Sequence, residues 1–324
     1  METQTLLNCI SIDYITITIR NMPLEEIIMK MGLLNINFKN VKGHNFYRDC
    51  MTFSGMNFLY NGLNSNMGIC IELKGTGCRA FETFGNGDYL QLLSWVIDHE
   101  ENNCTRLDLA YDDFSGILPL ERIRDDAIAG NYLSKCKGGN IRQGFGNQDG
   151  LTVYFGSRES EFLCRFYDKS AEKCVKDKIP HWVRCEIQLG KNLTYNTLKD
   201  ITTYDDLKAT FFKILNNYLR FIEPFNNEAG NKSRDSIIAD YWSNFIGIYG
   251  KMSVFSKKGV QYTEENLKKY IFGQAGNALW TFFQIYDVED FFHELERIEK
   301  KDKNPKYYDL IKKFESLNRV GVKK

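Results

Sequence analysis

The sequence predicts an α+β protein in which an antiparallel-rich sheet carries its helices on one face and a helical C-terminal domain follows. Three observations carry that prediction. Runs in which apolar and polar residues alternate at every second position recur up to about residue 190, separated by stretches of helical period. After about residue 200 the alternation stops and amphipathic helical patterns take over. The content, 43% hydrophobic and 14% aromatic over 324 residues, suits a globular chain with enough apolar mass for two or three domains.

Taken in order, Ile10 to Ile19 alternates β-branched residues and opens the chain as a strand. At Asn21-Met22-Pro23-Leu24-Glu25-Glu26 a helix begins, with proline and acids in its first turn, and runs to about Met31. Met56 to Tyr60 and Gly68 to Leu73 are strands joined by polar Gly/Asn turns. Leu90, Leu92, Leu93, Val96 and Ile97 mark a helix before the strand Thr105 to Asp113. Next come a helix from Leu118 to Ala129, a loop, the hairpin Leu151–Phe155 with Phe162–Tyr167, a helix near Ser170–Val175 and the strand His181 to Gln188. This order divides the sheet region into two similar units, residues 1–100 and 101–199, with no visible sequence repeat. Tyr204–Phe221, Ser233–Tyr249 and Glu264–Tyr286 are helices of a separate domain, 200–324. Its expected core is Trp242, Phe245, Trp280, Phe282 and Phe283, and its Lys300–Lys324 end is a solvated face.

Several classes drop out. No run of about 18 apolar residues is present, so no membrane span is expected. The first residues lack a basic segment followed by an apolar block, so no signal peptide is expected. Nine scattered cysteines fit a reducing cytoplasm. They form no CxxC pair, and His44, His99, His181 and His293 show no zinc-binding spacing. The 42 basic and 42 acidic residues cancel, so binding to a polyanion would rest on local patches and be weak at physiological salt.

The chemistry concentrates on three strands. Arg106, Asp108 and Asp112 share one strand face, Arg165, Tyr167 and Lys169 a second, and Arg184, Glu186 and Gln188 a third. If these faces meet, carboxylates, a phenol and cations come together, which is an inventory for metal-assisted chemistry on a phosphate. Asp108 and Glu186 lie between apolar neighbours, where an unpaired carboxylate is costly, so they lead as metal ligands. Asp112 is next, and Asp113, on the opposite face, is weaker. Oxygen donors without His or Cys pairs select Mg²⁺ or Mn²⁺ over zinc. The competing reading pairs Asp108 or Glu186 with Arg106 or Arg184 in structural ion pairs. His181, near Glu186, is read either as a further member of the site or as a surface histidine at a strand end. Arg158 and Arg184 are candidates to clamp a phosphate. The glycine-rich stretch Leu133–Gly146 carries Lys135, Lys137 and Arg142 and no acid, so it either follows a nucleic-acid backbone or is an ordinary connection. It lacks the GKS/T ending of a P-loop.

The runs TRLDLAYDD, TVYFGSRESEFLCRFYDKSAEK and WVRCEIQL, in that order, resemble the replication-initiation nickases of rolling-circle plasmids. That family includes relaxases of some integrative conjugative elements and replication proteins of filamentous phages. Lys74-Gly75-Thr76-Gly77-Cys78-Arg79 resembles its glycine-cysteine-arginine signature, and the resemblance covers roughly residues 10–190. It implies that Tyr167, in the FYDK run, is the nucleophile, with Tyr154 as the fallback, and that 101–199 is the nickase domain. It further implies cleavage of one strand of single-stranded or extruded origin DNA, leaving a 5′-phosphotyrosyl enzyme and a free 3′-OH. A host helicase and a second copy of the chain are the partners it suggests. The same chemistry serves conjugative transfer, and a non-catalytic origin binder on this fold is the reading from another class. Ionising a phenol at neutral pH costs roughly 4 kcal/mol. Arg165, Lys169 and a divalent ion are the groups expected to offset it. The two-histidine motif of the wider nickase class is missing.

Overall fold

The computed structural model describes residues 8–144, 150–204, 206–224, 236–247 and 276–299. The first half of the sheet is β1 (Cys9–Ile19), β2 (Lys39–Lys42), β3 (Tyr47–Phe53), β4 (Met56–Gly62) and β5 (Ile69–Leu73). Into the second half go β6 (Asn103–Asp113), β8 (Gly139–Gln143), β9 (Leu151–Gly156), β10 (Phe162–Asp168) and β11 (Val183–Gly190). These ten strands form one antiparallel sheet in the order β2-β3-β4-β5-β1-β6-β11-β10-β9-β8. A separate ladder pairs β7 (Tyr132–Ser134) with β12 (Leu219–Phe221). The helices are α1 (Leu24–Lys30), α2 (Gly75–Phe84), α3 (Tyr89–Ile97), α4 (Leu120–Ala129), α5 (Lys169–Glu172), α6 (Lys191–Tyr204), α7 (Leu207–Tyr218) and α8 (Asp240–Ile246). Among the described residues no helix is long and apolar enough to cross a membrane.

The strand order is an internal symmetry. From each edge inward the two halves read β2-β3-β4-β5-β1 and β8-β9-β10-β11-β6, so each central strand is laid down first and the outer four follow in sequence. A helix follows each central strand, α1 in one half and α4 in the other. This is the pair of similar units expected from the order of elements. The halves are continuous through the β1–β6 ladder, where Tyr14 faces Asp108.

Alternation divides the two faces of this sheet. Leu107, Leu109 and Tyr111 of β6 and Cys185 and Ile187 of β11 point to the helix side, and all are buried. The Tyr111 ring packs on Phe211 of α7, on Phe212 and on Phe245 of α8, with centroids 6.3, 5.6 and 5.0 Å away. Trp242 meets Phe166 of β10 and Phe221 of β12 at 6.3 and 5.2 Å. These contacts carry the sheet unit past the expected boundary at 200. Residues 1–254 form one compact unit and 255–324 a second. Trp242 and Phe245 are buried in the core of the sheet unit, beside the rings of β6, β10 and β12.

Three local differences have physical causes. The stretch expected as a glycine-rich loop contributes β8, an edge strand whose backbone comes very close to β9. A Cβ at Gly139 would lie 2.1 Å from the Tyr154 carbonyl oxygen, so only glycine fits there. The end of the expected 204–221 helix is extended, and this puts Leu219 and Phe221 on the same side, both fully buried. Helix α6 escaped the periodicity because its buried face includes Thr194 and Thr197. Their hydroxyls donate to the Cys104 and Leu193 carbonyls at 2.8 and 2.7 Å, which lets them act as core residues.

In the second unit, α9 (Gly276–Ile285) and α10 (Val288–Glu299) meet through Phe282, Phe283 and Phe291, whose rings lie 5.8 and 5.1 Å apart. Trp280, expected in a core, is 67% exposed. The remainder of the expected 264–286 helix and the Lys300–Lys324 end lie outside the described residues, as do parts of the expected Ser233–Tyr249 helix.

If α8 belongs to the sheet core, Trp242→Ala lowers the stability of the whole unit by about 3–5 kcal/mol. Urea unfolding monitored together with hydrogen exchange on β10 checks this, the expected outcome being faster exchange in that strand.

Candidate active site

The face of the sheet opposite the helices carries the polar residues. Strand β11 runs between β6 and β10, so Glu186 has Ala110 on one side and Arg165 on the other, and Tyr167 faces Arg184. Ala110 has no side chain beyond Cβ, which leaves the Glu186 carboxylate room to lie in the sheet face. It is 2% exposed and fully engaged. Arg165 pairs with its Oε1, and the Tyr167 hydroxyl donates to its Oε2 at 3.0 Å. Lys169 Nζ donates to Tyr167 Oη at 3.2 Å. Lys169 reaches that position because the strand ends at Asp168, whose carboxylate caps α5 by accepting the Ala171 amide at 2.9 Å. Diagonally across from Glu186, Asp108 accepts from Arg106 Nε and Nη2 at 2.9 and 2.5 Å, and the same guanidinium lies 3.9 Å over the Tyr14 ring. A cleft of about 620 Å³, lined by Tyr154, Arg165, Asp168 and Lys176 among others, opens on Tyr167.

This surrounding sets the resting protonation state. Burial, reinforced by the Glu186 charge, pushes the Tyr167 phenol above its ordinary value, and Arg184 and Arg165 offset only part of the shift. Tyr167 therefore rests as a neutral hydroxyl with its proton directed at Glu186. Asp108 is also raised, first by burial and further by Glu186, against the pull of its hydrogen bond from Arg106.

The other residues singled out in the sequence are distributed differently. Asp112 holds Arg184 through two hydrogen bonds of 2.7 Å and accepts Trp182 Nε1 at 2.6 Å. Four residues along a strand is about 13 Å, so Asp112 does not join Asp108. Arg184 is buried and bridges to Asp13 at 3.0 Å, so it is committed to two acids instead of clamping a phosphate. Asp13 was not anticipated. It occupies a bulge in β1 between Ile12 and Tyr14, and Arg79 of the Lys74–Arg79 segment steadies that bulge by donating to the Ile12 carbonyl at 2.7 Å. Asp113 is fully buried on the helix side and accepts the Ser115, Gly116 and Leu118 amides at 2.9, 3.1 and 2.8 Å. His181 sits 3.4 Å from Asp113 and is not part of the Glu186 cluster. Arg158 lies in the turn at the far end of the β9–β10 hairpin, away from Tyr167. Lys135 bonds to Asn217, and Lys135 and Lys137 line a different cleft, beside Tyr218. Of the basic stretch, Arg142 alone reaches the neighbourhood of the site, 5.5 Å over the Tyr154 ring.

Among the described residues no group of three His, Cys, Asp or Glu side chains is placed to hold a metal ion. Asp108 and Glu186 are the acids expected to hold Mg²⁺ or Mn²⁺, and each is held here by an arginine, Arg106 and Arg165. Both offer hard oxygens, and Mg²⁺ is commonly held by one or two carboxylates, with water and substrate phosphate completing its shell.

The fold is shared with a rolling-circle replication initiator. The solved initiator protein from Geobacillus stearothermophilus superposes with a TM-score of 0.67 at 25% identity, over 76% of this chain and 98% of that one. The chain belongs to the replication initiation factor family, whose family model matches residues 102–298, and the N-terminal domain of rolling-circle replication initiation proteins matches residues 9–95. A putative DNA relaxase, NicK of Bacillus subtilis (strain 168), is 28% identical over 259 residues, covering 76% of this chain and 73% of its own length.

For Asp113, burial alone would raise the carboxyl, but hydrogen bonds from Leu118 and Ser115 outweigh it and hold the pKa below its ordinary 3.8. A depressed folded-state pKa gives stability that is complete above the unfolded value and is lost as pH falls through the folded one. Asp113→Asn is therefore expected to cost roughly 1–3 kcal/mol at neutral pH. The gap to the parent narrows below about pH 4, as urea titrations at the two pH values will read.

Proposed function

We propose that the chain nicks one strand of origin DNA through a covalent Tyr167 intermediate, starting rolling-circle replication of the element that carries it. One observation carries the reading: a buried neutral tyrosine, donating its proton to Glu186 and receiving a hydrogen bond from Lys169, faces an open cleft. In the step this supports, Tyr167 Oη attacks the scissile phosphorus as its proton passes to Glu186. The P–O3′ bond breaks in line, the 3′ oxygen leaves and takes up a proton from solvent, and the 5′ phosphate stays on the tyrosine. The phosphodiester energy is kept in the new bond, so rejoining needs no nucleotide. Lys169 balances the charge that develops on the phenol oxygen, and Arg165, released as Glu186 takes up the proton, balances that on the phosphate. A Mg²⁺ or Mn²⁺ ion held by Asp108 and Glu186 would supply Lewis-acid polarisation of the phosphate oxygens. The DNA has to be unpaired at the nick, since an in-line attack from a sheet face requires a phosphate outside the stacked duplex. Strand separation beyond the nick is assigned to a helicase of the host.

The similarity to a putative DNA relaxase favours a second use of the same chemistry, in which the nick begins conjugative transfer. The neighbouring genes separate the two uses, for the chemistry is common to both.

Labelled single-stranded origin DNA incubated with the chain and Mn²⁺ should give a protein–DNA band that survives denaturant. Tyr167→Phe abolishes that band and keeps DNA binding, and Glu186→Gln slows its formation by about 10²–10⁴-fold. Chelator removes it if the ion is required. An undiminished band from Tyr167→Phe would exclude Tyr167 as nucleophile, and binding without any band from the parent chain would make the protein a non-catalytic origin binder.

A further inference from the structure

The arginines around Tyr167 are already spent on acids. Arg106 is bound to Asp108, Arg165 to Glu186, and Arg184 to Asp112 and Asp13. Arg142 differs: it is exposed on the edge strand β8 and pairs with no carboxylate among the described residues. It lies over Tyr154, whose half-buried ring stands on the same sheet face as Arg165, its cross-strand partner, and diagonal to Tyr167. Both tyrosines line the one cleft. Diagonal neighbours on adjacent antiparallel strands are about 7–8 Å apart, the scale of one nucleotide step.

We propose that Tyr154 is a stacking platform for the unpaired nucleobase next to the scissile phosphate, and that Arg142 takes the backbone phosphate on its outer side. This assignment rests on the nicking site proposed above and gives the DNA a direction across it, from Tyr167 on β10 over β9 to the edge at β8. An aromatic face accepts any base, while a guanidinium that pairs with no acid among the described residues keeps its charge for a phosphate. Tyr154 is then a substrate-positioning group whose ring, and not its hydroxyl, matters. That separates it from a reserve nucleophile.

The test uses the full chain carrying Tyr167→Phe, so that no covalent product forms, and a probe of about twelve thymidylates with one 2-aminopurine, a length within one single-strand site. In that background Tyr154→Leu weakens binding by about 5- to 100-fold, the contribution of one stacked base, and removes the fluorescence quenching that binding causes. Tyr154→Phe keeps both. Arg142→Gln weakens binding and lowers the dependence of log K on log salt by about one. Urea unfolding of each variant establishes that it is folded. Tyr154→Leu binding and quenching like its parent would overturn the proposal, as would Tyr154→Phe behaving like Tyr154→Leu. Adduct formation by the chain with Tyr167 intact is scored separately. Its absence alongside Tyr154-dependent quenching sinks the nicking reading and leaves the platform standing; its presence without that quenching does the reverse.

Discussion

A carboxylate buried in the middle of a ten-stranded sheet has to be answered by groups that carry charge or protons, and Glu186 is that carboxylate. Its two oxygens are taken by Arg165 and Tyr167, and Tyr167 in turn is held by Lys169. The requirement is electrostatic before it is catalytic, since stripping either partner leaves a charge that the surroundings cannot solvate. The same rule explains Asp108 with Arg106 and Asp112 with Arg184. What distinguishes the Glu186 position is that one of its partners is a tyrosine hydroxyl and that a cleft reaches it.

The internal symmetry shows how much of the site the fold alone would supply. Glu72 on β5 stands where Glu186 stands on β11, paired across to Asn57 on β4 as Glu186 is to Arg165 on β10. Two residues further along, the Tyr167–Arg184 pair is replaced by Leu59 and Cys70. Those two join Tyr47 and Cys50 in an apolar cluster that Met67 packs against, and Glu72 is hydrogen-bonded by Asn57 and His44. One half of the sheet is therefore sealed by packing and the other is open to a ligand. The acid is common to both, and the tyrosine and the cleft beside it are not.

Much of this was legible in the chain. Alternating polarity located β1, β6, β10 and β11 and put Asp108, Tyr167 and Glu186 on one side, because a half-covered antiparallel sheet must alternate. Side-chain partners were less legible, since periodicity gives a face but no register. Glu186 pairs with Arg165, where ion pairing had suggested Arg184, and that depends on which residues of β10 and β11 lie opposite each other. Asp13 was hidden because a bulge breaks the very alternation used to read the strand. The boundary at 200 was misplaced for a different reason: a change of period marks a change of secondary structure, and α7 and α8 pack on the preceding strands.

The bulge at Asp13 makes β1 unequal in its tolerance of change. Substitutions there act locally, through whatever the replaced side chain touched. A single-codon insertion or deletion acts on every later position of the strand, because a slip of one residue turns Tyr14, Thr16 and Thr18 toward the helices and drives Ile15, Ile17 and Ile19 into water. Since β1 joins the two halves of the sheet, its reading frame is the seam along which length variation among relatives should be rarest.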